Sequence, residues 1–519
     1  KLVVNVENSI VSAGNTVLEV LQRSPGVTVN EESGINMKGK SGVVVMIDGK
    51  PSPLSGTELI SYLKTIPASN IQSIELISNP SARYDAAGNA GIINIKFKKD
   101  KRQGFNGSAT ASYGQGVYQK PSASVNFNLR EKKWNFFGSY SYSQPMNFTY
   151  FYITRKFFDQ DHNLASTFEQ ESYTKQPFMA HNTRLGVDFY ASQKTVIGVM
   201  VNGNWNNGSR DGTTNATIKD KDGLLNYTTK TGILSSEKRF NGFGNLNFKH
   251  TFDSTGKELT ADIDFGSFGS TTVQDVRNVN SFPDGTVFAD TRLLTDQIGD
   301  ITVRSVKADY VHPFTEKDKL ELGIKSSLVT SDNDVKFFNA LNDEKILDTS
   351  RSNHFIYHEN INAAYLSYAK EMEKWDLQCG LRMEHTNTRG EQLATGATFA
   401  RNYVSLFPNV VVNRRFAKDN SLSLSYARRI DRPSYRQLNP FKVFVDSYTY
   451  VVGDPTLRPV MTNVFELNHT LKGKYITTLS YTNSKQSITD IFVQDDVSKI
   501  SYQTPANIRD FEQYNLGIY

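Results

Sequence analysis

The stretch WNFFGSYSYS, from Trp134 to Ser143, decides the fold. Its aromatic side chains fall on one face of an extended strand: Trp134, Phe136, Tyr140 and Tyr142. Its small polar side chains fall on the other face: Asn135, Ser139, Ser141 and Ser143. An apolar face opposite a wet face, sustained over this length, predicts a strand that separates lipid from a water-filled interior.

The same alternation recurs along the chain from residue 100 to the end. It is clearest in three further stretches, at 123–130, 259–265 and 375–384. The wet face of the last two carries charged side chains, which we predict to face the lumen: Asp262, Asp264, Arg382 and Glu384. A secreted propeller or sandwich is the alternative, but its strands are about 5 to 6 residues long, and these runs are two or three times longer.

Turns divide this region at a regular spacing. Short charged turns, from Arg130–Lys133 to Lys472–Lys474, alternate with longer connections such as Asn206–Gly232 and Arg432–Pro459. Outer-membrane barrels have short periplasmic turns and long extracellular loops, so the pattern predicts about 16 antiparallel strands after residue 103.

Composition excludes several other classes of protein. Aromatic residues make up 12% of the 519 residues although hydrophobic residues make up only 38%. No stretch approaches the ~20 apolar residues of a membrane-spanning helix. The net charge of +5 is too balanced for a dedicated nucleic-acid binder. The single cysteine, Cys379, forms no internal disulfide or cysteine metal cluster, and we expect it to face lipid.

Residues 1–99 have a different pattern, which predicts a small α+β domain. A helix begins after Asn15 or Thr16, and a second helix covers Thr57–Thr65. Strands are predicted at three apolar runs: Val43–Ile47, Ile71–Ile77 and Gly91–Phe97.

Specific motifs in both regions resemble one family. The segments NTVLEVLQRSPGVTV (15–29), KGKSGVVVMIDGKP (38–51) and IPASNIQSIELISNPSARYDAAGNAGIINIKFKK (66–99) are similar to the plug domain of TonB-dependent outer-membrane receptors. The run NPSARYDAAGNAGIINIK resembles the Bacteroidetes-type branch. The segments RPSYRQLNPF (432–441) and VGDPTLRP (452–459) resemble the barrel signature of the same family.

The resemblance implies a bacterial outer-membrane protein, a large transmembrane β-barrel occluded by a small α+β plug. We expect an N-terminally truncated plug domain at 1–99 and a C-terminally incomplete barrel at 100–519, since such transporters have about 22 strands. It also implies contact with outer-membrane lipid and lipopolysaccharide, a TonB-type periplasmic energy-coupling protein, and a small-molecule, peptide or glycan ligand.

The resemblance also assigns candidate residues. The plug motif and its barrel contacts are expected at these positions: Lys38, Gly39, Asp48, Gly49, Asn79, Pro80, Arg83, Tyr84, Asp85, Gly88, Gly91 and Asn94. Arg83, Tyr84, Asp85 and Asn94 are expected to hydrogen-bond to the lumen wall. Ligand contacts are expected in one extracellular loop: Arg432, Tyr435, Arg436, Lys442, Tyr448 and Tyr450.

Neither an enzyme nor a cofactor site is predicted. His354 and His358 are spaced as HxxxH, but four residues of a strand span ~13 Å, too far for one metal ion. Two functional hypotheses stay open: a TonB-dependent importer, and a non-transporting receptor or adhesin with the same architecture.

Overall fold

The computed structural model describes residues 2–7, 9, 15–30, 34–37, 43–52, 56–78, 80–88, 90–98, 103–159, 161–341, 344–417, 419–446, 449–495, 498 and 500–518. Residues 2–97 form a small α+β domain, the plug. Its elements are β1 (Leu2–Asn5), α1 (Val17–Gln22), β2 (Val27–Asn30), β3 (Gly34–Met37), β4 (Val43–Ile47), β5 (Lys50–Pro51), α2 (Gly56–Thr65), β6 (Ile71–Ile77) and β7 (Gly91–Phe97). Five strands pair in the order β1-β6-β7-β4-β5, and β2 pairs with β3.

The local signals of the plug sequence are confirmed. The hydroxyl of Thr16 accepts the backbone N–H of Glu19, and the carboxylate of Glu19 accepts the backbone N–H of Thr16. These two hydrogen bonds satisfy two backbone amides at the start of α1. The apolar faces of both helices pack on the sheet, where Leu21, Leu63 and Ile93 are buried in one core. The predicted strands and the second helix are found within one residue of the expected bounds.

The remaining strands follow after residue 103. They are β8 (Gly104–Gln115), β9 (Gln119–Glu131), β10 (Trp134–Ser143), β11 (Met146–Phe158), β12 (Leu164–Tyr190), β13 (Thr195–Asp220), β14 (Leu225–Thr251), β15 (Glu258–Ser281), β16 (Val287–Thr315), β17 (Asp318–Leu341), β18 (Glu344–Glu371), β19 (Trp375–Gln392), β20 (Ala397–Ala417), β21 (Asn420–Asp431), β22 (Val443–Asp446), β23 (Thr449–Val451), β24 (Val460–Leu471), β25 (Tyr475–Lys485), β26 (Ile488–Gln494), β27 (Ser501–Asn507) and β28 (Phe511–Ile518).

Seventeen of these strands form one antiparallel sheet that closes into a barrel, counted over the described residues. The other four, β22, β23, β26 and β27, form a separate sheet. Two barrel strands, β10 and β11, pair end to end with the same neighbour, β12, and therefore occupy one position in the wall. The wall thus has sixteen positions, the number that the turn spacing predicts.

Side chains alternate across the wall as the sequence predicts. In β10, Trp134 and Tyr140 are exposed on the outside, whereas Asn135 and Ser141 are buried inside. In β19, Leu381 is exposed outside and Arg382 is buried inside. Because the outer face is apolar around a closed sheet that contains a plug, the propeller and sandwich alternatives are wrong.

Strands β12 to β18 are much longer than the sequence suggested. Asn206–Gly232 was expected to be a long connection, but β13 continues to Asp220 and pairs with β14 almost to the turn. Asparagine and glycine are normally depleted in strands, but here each is paired on both sides, so the neighbouring ladders override the local preference. These seven strands have 24 to 29 residues, compared with 11 to 13 in β8, β9, β24 and β25.

The connection between β21 and β24 is folded. It contains one helical turn, α3 (Tyr435–Leu438), and the strands β22 and β23. The β25–β28 connection supplies β26 and β27, and the four strands pair in the order β22-β23-β27-β26; we call them the outer sheet. No helix in the described part of the chain has the length and apolarity needed to cross a bilayer.

Candidate functional site

A buried ion network joins the plug to the barrel wall at Asp85. One Asp85 oxygen accepts a hydrogen bond from Lys325 Nζ at 2.6 Å, and the other accepts one from Arg382 Nη2 at 2.9 Å. Burial opposes the charged form of Asp85, but Lys325 and then Arg382 outweigh burial and hold the pKa of this carboxyl well below its usual range. Asp85 is therefore an anion held by two wall cations.

Glu384 extends this network towards the β21–β24 connection. Its Oε1 atom accepts hydrogen bonds from Arg382 Nε at 2.6 Å and from the backbone N–H of Ala86 at 3.2 Å. Its Oε2 atom accepts one from Arg432 Nη2 at 2.8 Å. A single wall carboxylate thus contacts both the plug and the first residue of the β21–β24 connection.

The plug also makes a backbone bridge to β21. The N–H of Gly88 donates to the carbonyl of Ile430 at 3.0 Å, and the N–H of Ile430 donates to the carbonyl of Ala86 at 3.1 Å. The guanidinium of Arg429 donates to the carbonyls of Ala87 at 2.7 Å and Gly88 at 3.2 Å. Residues 86–88 (Ala-Ala-Gly) have small side chains, which allows the two backbones to approach closely.

A further contact on this side involves Arg83, which lies 3.3 Å from the buried carboxylate of Asp309. Asp309 also accepts hydrogen bonds from the hydroxyl of Tyr365 at 2.7 Å and contacts Lys307 at 2.9 Å. The amide of Asn409 donates to the carbonyl of Pro80 at 3.4 Å. The segment 80–88 is therefore attached to wall strands from β16 to β21.

On the other side of the plug, the turn Asp48-Gly49 faces β12. Both residues have positive φ angles, +49° and +81°, and the N–H of Gly49 donates to Asn94 Oδ1 at 2.8 Å. One Asp48 oxygen accepts the N–H of Phe97 at 3.0 Å, and the other pairs with Arg184 of the wall. The turn therefore presents a carboxylate to a wall arginine.

Asn94, which was expected to contact the wall, is bonded within the plug instead. Asn94 donates to Glu75 at 2.9 Å and supports the turn at Gly49, so it serves the plug's own sheet. Tyr84 packs against Met46, Ile77 and Ile92 of the plug and also lines a small space shared with Arg382 of the wall. Gly91 has a φ of +106°, and a Cβ there would lie 2.4 Å from the carbonyl oxygen of Ile77.

The two aspartates predicted to face the lumen lie on the inner face of β15, opposite the exposed Ile263 and Phe265. Asp264 accepts hydrogen bonds from Asn245 at 2.6 Å and Ser305 at 2.9 Å, which lie on the neighbouring strands β14 and β16. Asp262 lies two residues away on the same face of β15, half-buried. Lys38, Gly39 and Asn79 lie outside the described residues.

Part of the expected ligand loop folds into the barrel mouth. Arg432 is bonded to Glu384, and the hydroxyl of Tyr435 lies 3.4 Å from Glu359, to which it donates. Burial, followed by Glu359, raises the pKa of the Tyr435 hydroxyl well above its usual value, so it stays a donor. Three apolar residues of the connection pack against wall residues such as Phe337 and Phe355: Leu438, Phe441 and Leu457. Arg432 and Tyr435 therefore brace the connection rather than face outward.

The rest of the expected loop lies at the outer sheet. The ammonium of Lys442 lies 4.6 Å from the ring centre of Tyr450, and Tyr450 stacks on Tyr502 with 5.1 Å between ring centres and 2° between planes. Lys442 is exposed and the two rings are half-buried. The outer sheet thus presents a cation beside an aromatic pair. Tyr448 lies outside the described residues, as does the side chain of Arg436.

Several contact residues were not singled out from the sequence: Arg184, Lys325, Asp309, Arg429 and Tyr502. The first three could have been found, because each is a charged residue at an inward position of an alternating strand. The alternation does not show which of the inward-facing charged residues contact the plug.

Two protein-family models match this chain. The family model described as Outer membrane protein beta-barrel family matches residues 250–519, and the one described as TonB-dependent Receptor Plug Domain matches residues 3–92.

Solved structures share the fold at low sequence identity. The ferric enterobactin receptor PfeA from Pseudomonas aeruginosa is 12% identical over 99% of this chain and 76% of its own, with a TM-score of 0.61. The ferric citrate transporter FecA, unliganded, is 13% identical over 100% and 73%, with a TM-score of 0.60. The copper transporter OprC is 13% identical over 99% and 75%, with a TM-score of 0.66.

Proposed function

Because this chain belongs to the outer membrane protein β-barrel family and contains a TonB-dependent receptor plug domain, we propose that it imports a nutrient ligand through its plugged barrel. The ligand binds on the extracellular side. A TonB-type periplasmic protein then supplies the energy that moves the plug. The solved structures of the same fold include a siderophore receptor, a citrate transporter and a copper transporter.

One observation carries the proposal: apart from Ala86, which packs on Phe407 and Ile430, the plug–wall contacts described above are polar or charged. The main contacts are Asp85 with Lys325 and Arg382, Ala86 with Glu384, and Asp48 with Arg184. Contacts of this kind can be broken and remade in a wet lumen without exposing an apolar core. They suit a plug that must move and return.

The same network supports communication between the outer face and the plug. Glu384 contacts Ala86 of the plug and Arg432 at the start of the β21–β24 connection. That connection leads directly to the outer sheet with Lys442 and Tyr450. A ligand that displaces the connection therefore acts on a carboxylate that also holds the plug.

We assign first ligand contact to Lys442, Tyr450 and Tyr502 of the outer sheet. An aromatic pair with an adjacent ammonium suits a ligand that has a flat face and polar or anionic groups. Tyr450→Ala should weaken ligand binding at least about fivefold, since a stacked aromatic contributes about 1 kcal/mol beyond its area. Tyr514→Ala, which removes an exposed tyrosine of β28 on the lipid side, is the matched control.

Uptake measured in cells tests the proposal. The full-length protein is produced in a bacterial strain that lacks its own receptors for ferric siderophores, ferric citrate, copper and cobalamin, and accumulation of each labelled compound is measured. We expect accumulation of at least one compound that stops when a protonophore removes the energy source. Accumulation that is indifferent to the protonophore would contradict TonB-dependent import.

The outer sheet also favours a second candidate, a receptor or adhesin that binds at the surface without transport. Phe492 of β26 is 82% exposed, which is unusual for a side chain of that size. Binding of a compound from the same panel to intact cells, without accumulation in the periplasm, would favour this candidate.

A further inference from the structure

A cavity of about 80 Å³ lies between the plug and the wall on the side of β10 to β15. Plug residues Ile66, Asn70 and Phe97 form one side of it, and wall residues such as Ser141, Asn182 and Asn204 form the other. It is larger than one water molecule needs. Among the described residues that line it, Arg184 is the one with a charge.

Arg184 is buried in this cavity, and two of its nitrogen atoms are available to donate hydrogen bonds. Its side chain is 7% exposed, and its Nη2 atom pairs with Asp48 of the plug. Its Nε and Nη1 atoms are buried and have no hydrogen-bond partner among the described residues. Buried polar groups are normally satisfied, so two unpaired nitrogens on one guanidinium indicate a missing acceptor.

The neighbours of Arg184 hold the guanidinium in place. Its centre lies 4.5 Å from the ring of Phe97 and 5.6 Å from the ring of Phe137. The aromatic rings favour the charge without using any N–H donor. An oxyanion that enters the cavity therefore meets a fixed, positively charged fork, which is the geometry that carboxylate, sulfate and phosphate groups prefer.

Asp48 has a second partner within the plug. Its second oxygen accepts the N–H of Phe97 and keeps that bond when the ion pair breaks. Asn70, at the same cavity, has a buried amide oxygen without a hydrogen-bond partner among the described residues, and it can accept a hydroxyl or an N–H of a ligand.

The opposite side of the plug is attached through segment 80–88. Segment 80–88 makes two backbone hydrogen bonds to β21 and ion pairs to β16, β17 and β19. At the cavity side, the plug–wall contacts include the pair Asp48–Arg184, the Phe97 ring against the Arg184 guanidinium, and a 3.4 Å contact between the hydroxyls of Ser69 and Ser124.

We propose that this cavity is an anion-binding site, in which Arg184 takes up a carboxylate, sulfate or phosphate group in exchange for Asp48. The assignment of that group to the transported ligand rests on the proposed function. In that case the ligand passes the plug on the side of β10 to β15, and its anionic group replaces the contact that holds the Asp48-Gly49 turn against the wall.

Sulfate binding by the full-length protein in detergent, measured by titration calorimetry at constant ionic strength, tests the proposal. Arg184→Gln should weaken sulfate binding at least about tenfold, because it removes a charge-assisted hydrogen bond. Asp48→Asn should strengthen it about tenfold, since it removes the competing carboxylate, and Asn tolerates the positive φ of this position. The control is Arg239→Gln, a lumen-facing arginine bonded to Glu237 at 2.7 Å outside the cavity, which should change nothing.

The opposite signs of the two variants make the outcome decisive. Sulfate binding that survives Arg184→Gln, or that Asp48→Asn leaves unchanged or weakens, would overturn the proposal, as would absence of binding in both the native protein and Asp48→Asn. A shift in gel mobility on boiling shows that each variant still contains a folded barrel. Because calorimetry needs no energy coupling, a protein that binds sulfate at Arg184 but imports nothing would retain this inference and refute import.

Discussion

Replacing Asp85 by asparagine should release the plug segment 84–88 from the wall. Asparagine has nearly the same shape, but it leaves Lys325 and Arg382 facing each other without their shared anion. Two charge-assisted hydrogen bonds, at 2.6 and 2.9 Å, are lost or weakened. At about 1.5 to 3 kcal/mol each they total roughly 3 to 6 kcal/mol. The side chain of Asp85 is 24% exposed, so water compensates part of this loss and we expect about 3 kcal/mol.

Hydrogen exchange measures this change directly. The N–H of Gly88 is bonded to Ile430 only while the segment is in place, so its exchange rate reports the free energy of local opening. A loss of about 3 kcal/mol corresponds to exchange about a hundredfold faster. Asp290→Asn is the matched control, because the pair Arg277–Asp290 at 2.6 Å is exposed and contributes at most about 1 kcal/mol. If the exchange rate of the Gly88 amide rises less than threefold in Asp85→Asn, Asp85 does not hold this segment against the wall.

Three further predictions concern pH, lipid contact and glycine. The pKa of Asp85 is lower in the folded protein than in the unfolded chain, where it is about 3.9. The contribution of Asp85 to plug attachment is therefore complete above about pH 4 and declines as the pH falls further. Hydrogen exchange at Gly88, corrected for intrinsic rates, should accelerate below about pH 4 and stay constant from pH 5 to 8. Leu381→Arg, on the lipid face, should destabilise the barrel by about 2 to 4 kcal/mol in urea unfolding, whereas Gln378→Arg, on the inner face, should change the free energy of unfolding little. Equal losses of stability for the two variants would contradict the orientation of β19. Gly91→Ala should lower the free energy of unfolding by roughly 3 kcal/mol, because the new Cβ meets the carbonyl oxygen of Ile77. Gly49→Ala should lower it by only about 1 kcal/mol, because nothing lies within 4 Å of the new Cβ. Similar unfolding midpoints for the two variants would refute this reasoning.

The sequence predicts the two-part architecture well because both parts follow local rules. Alternation with period two marks each wall strand, and the capping of α1 by Thr16 marks the first plug helix. The motif resemblance to TonB-dependent receptors and the outer-membrane location are confirmed by the family matches. Assignment to the Bacteroidetes-type branch stays a prediction.

The errors arise where tertiary pairing outweighs composition. Asn206–Gly232 is rich in loop-forming residues, yet it pairs with neighbours on both sides and continues two strands. The outer sheet includes a parallel pairing of β23 with β27 from two different connections, which no local pattern encodes.

The candidate site was predictable in part. Asp85, Arg382 and Glu384 were selected for charge and position, and the structure brings all three together. Arg432 was expected to face a ligand, but it contacts Glu384, since a long guanidinium at the end of β21 reaches into the lumen. The residues that complete each contact, Lys325 and Arg184, come from strands distant in sequence.

The unequal strand lengths make the rim of the barrel uneven in a way that bears on its evolution. Strands of 24 to 29 residues exceed the 9 to 11 needed to cross the bilayer by about 15, which raises that part of the wall by roughly 40 Å at a tilt of about 40°. A high wall paired on both sides cannot change length in one strand without changes in its neighbours. The connections that form the outer sheet join shorter strands and are free of that constraint. Sequence divergence, and with it new ligand preferences, should therefore accumulate on the low side of the rim while the high side stays constant in length.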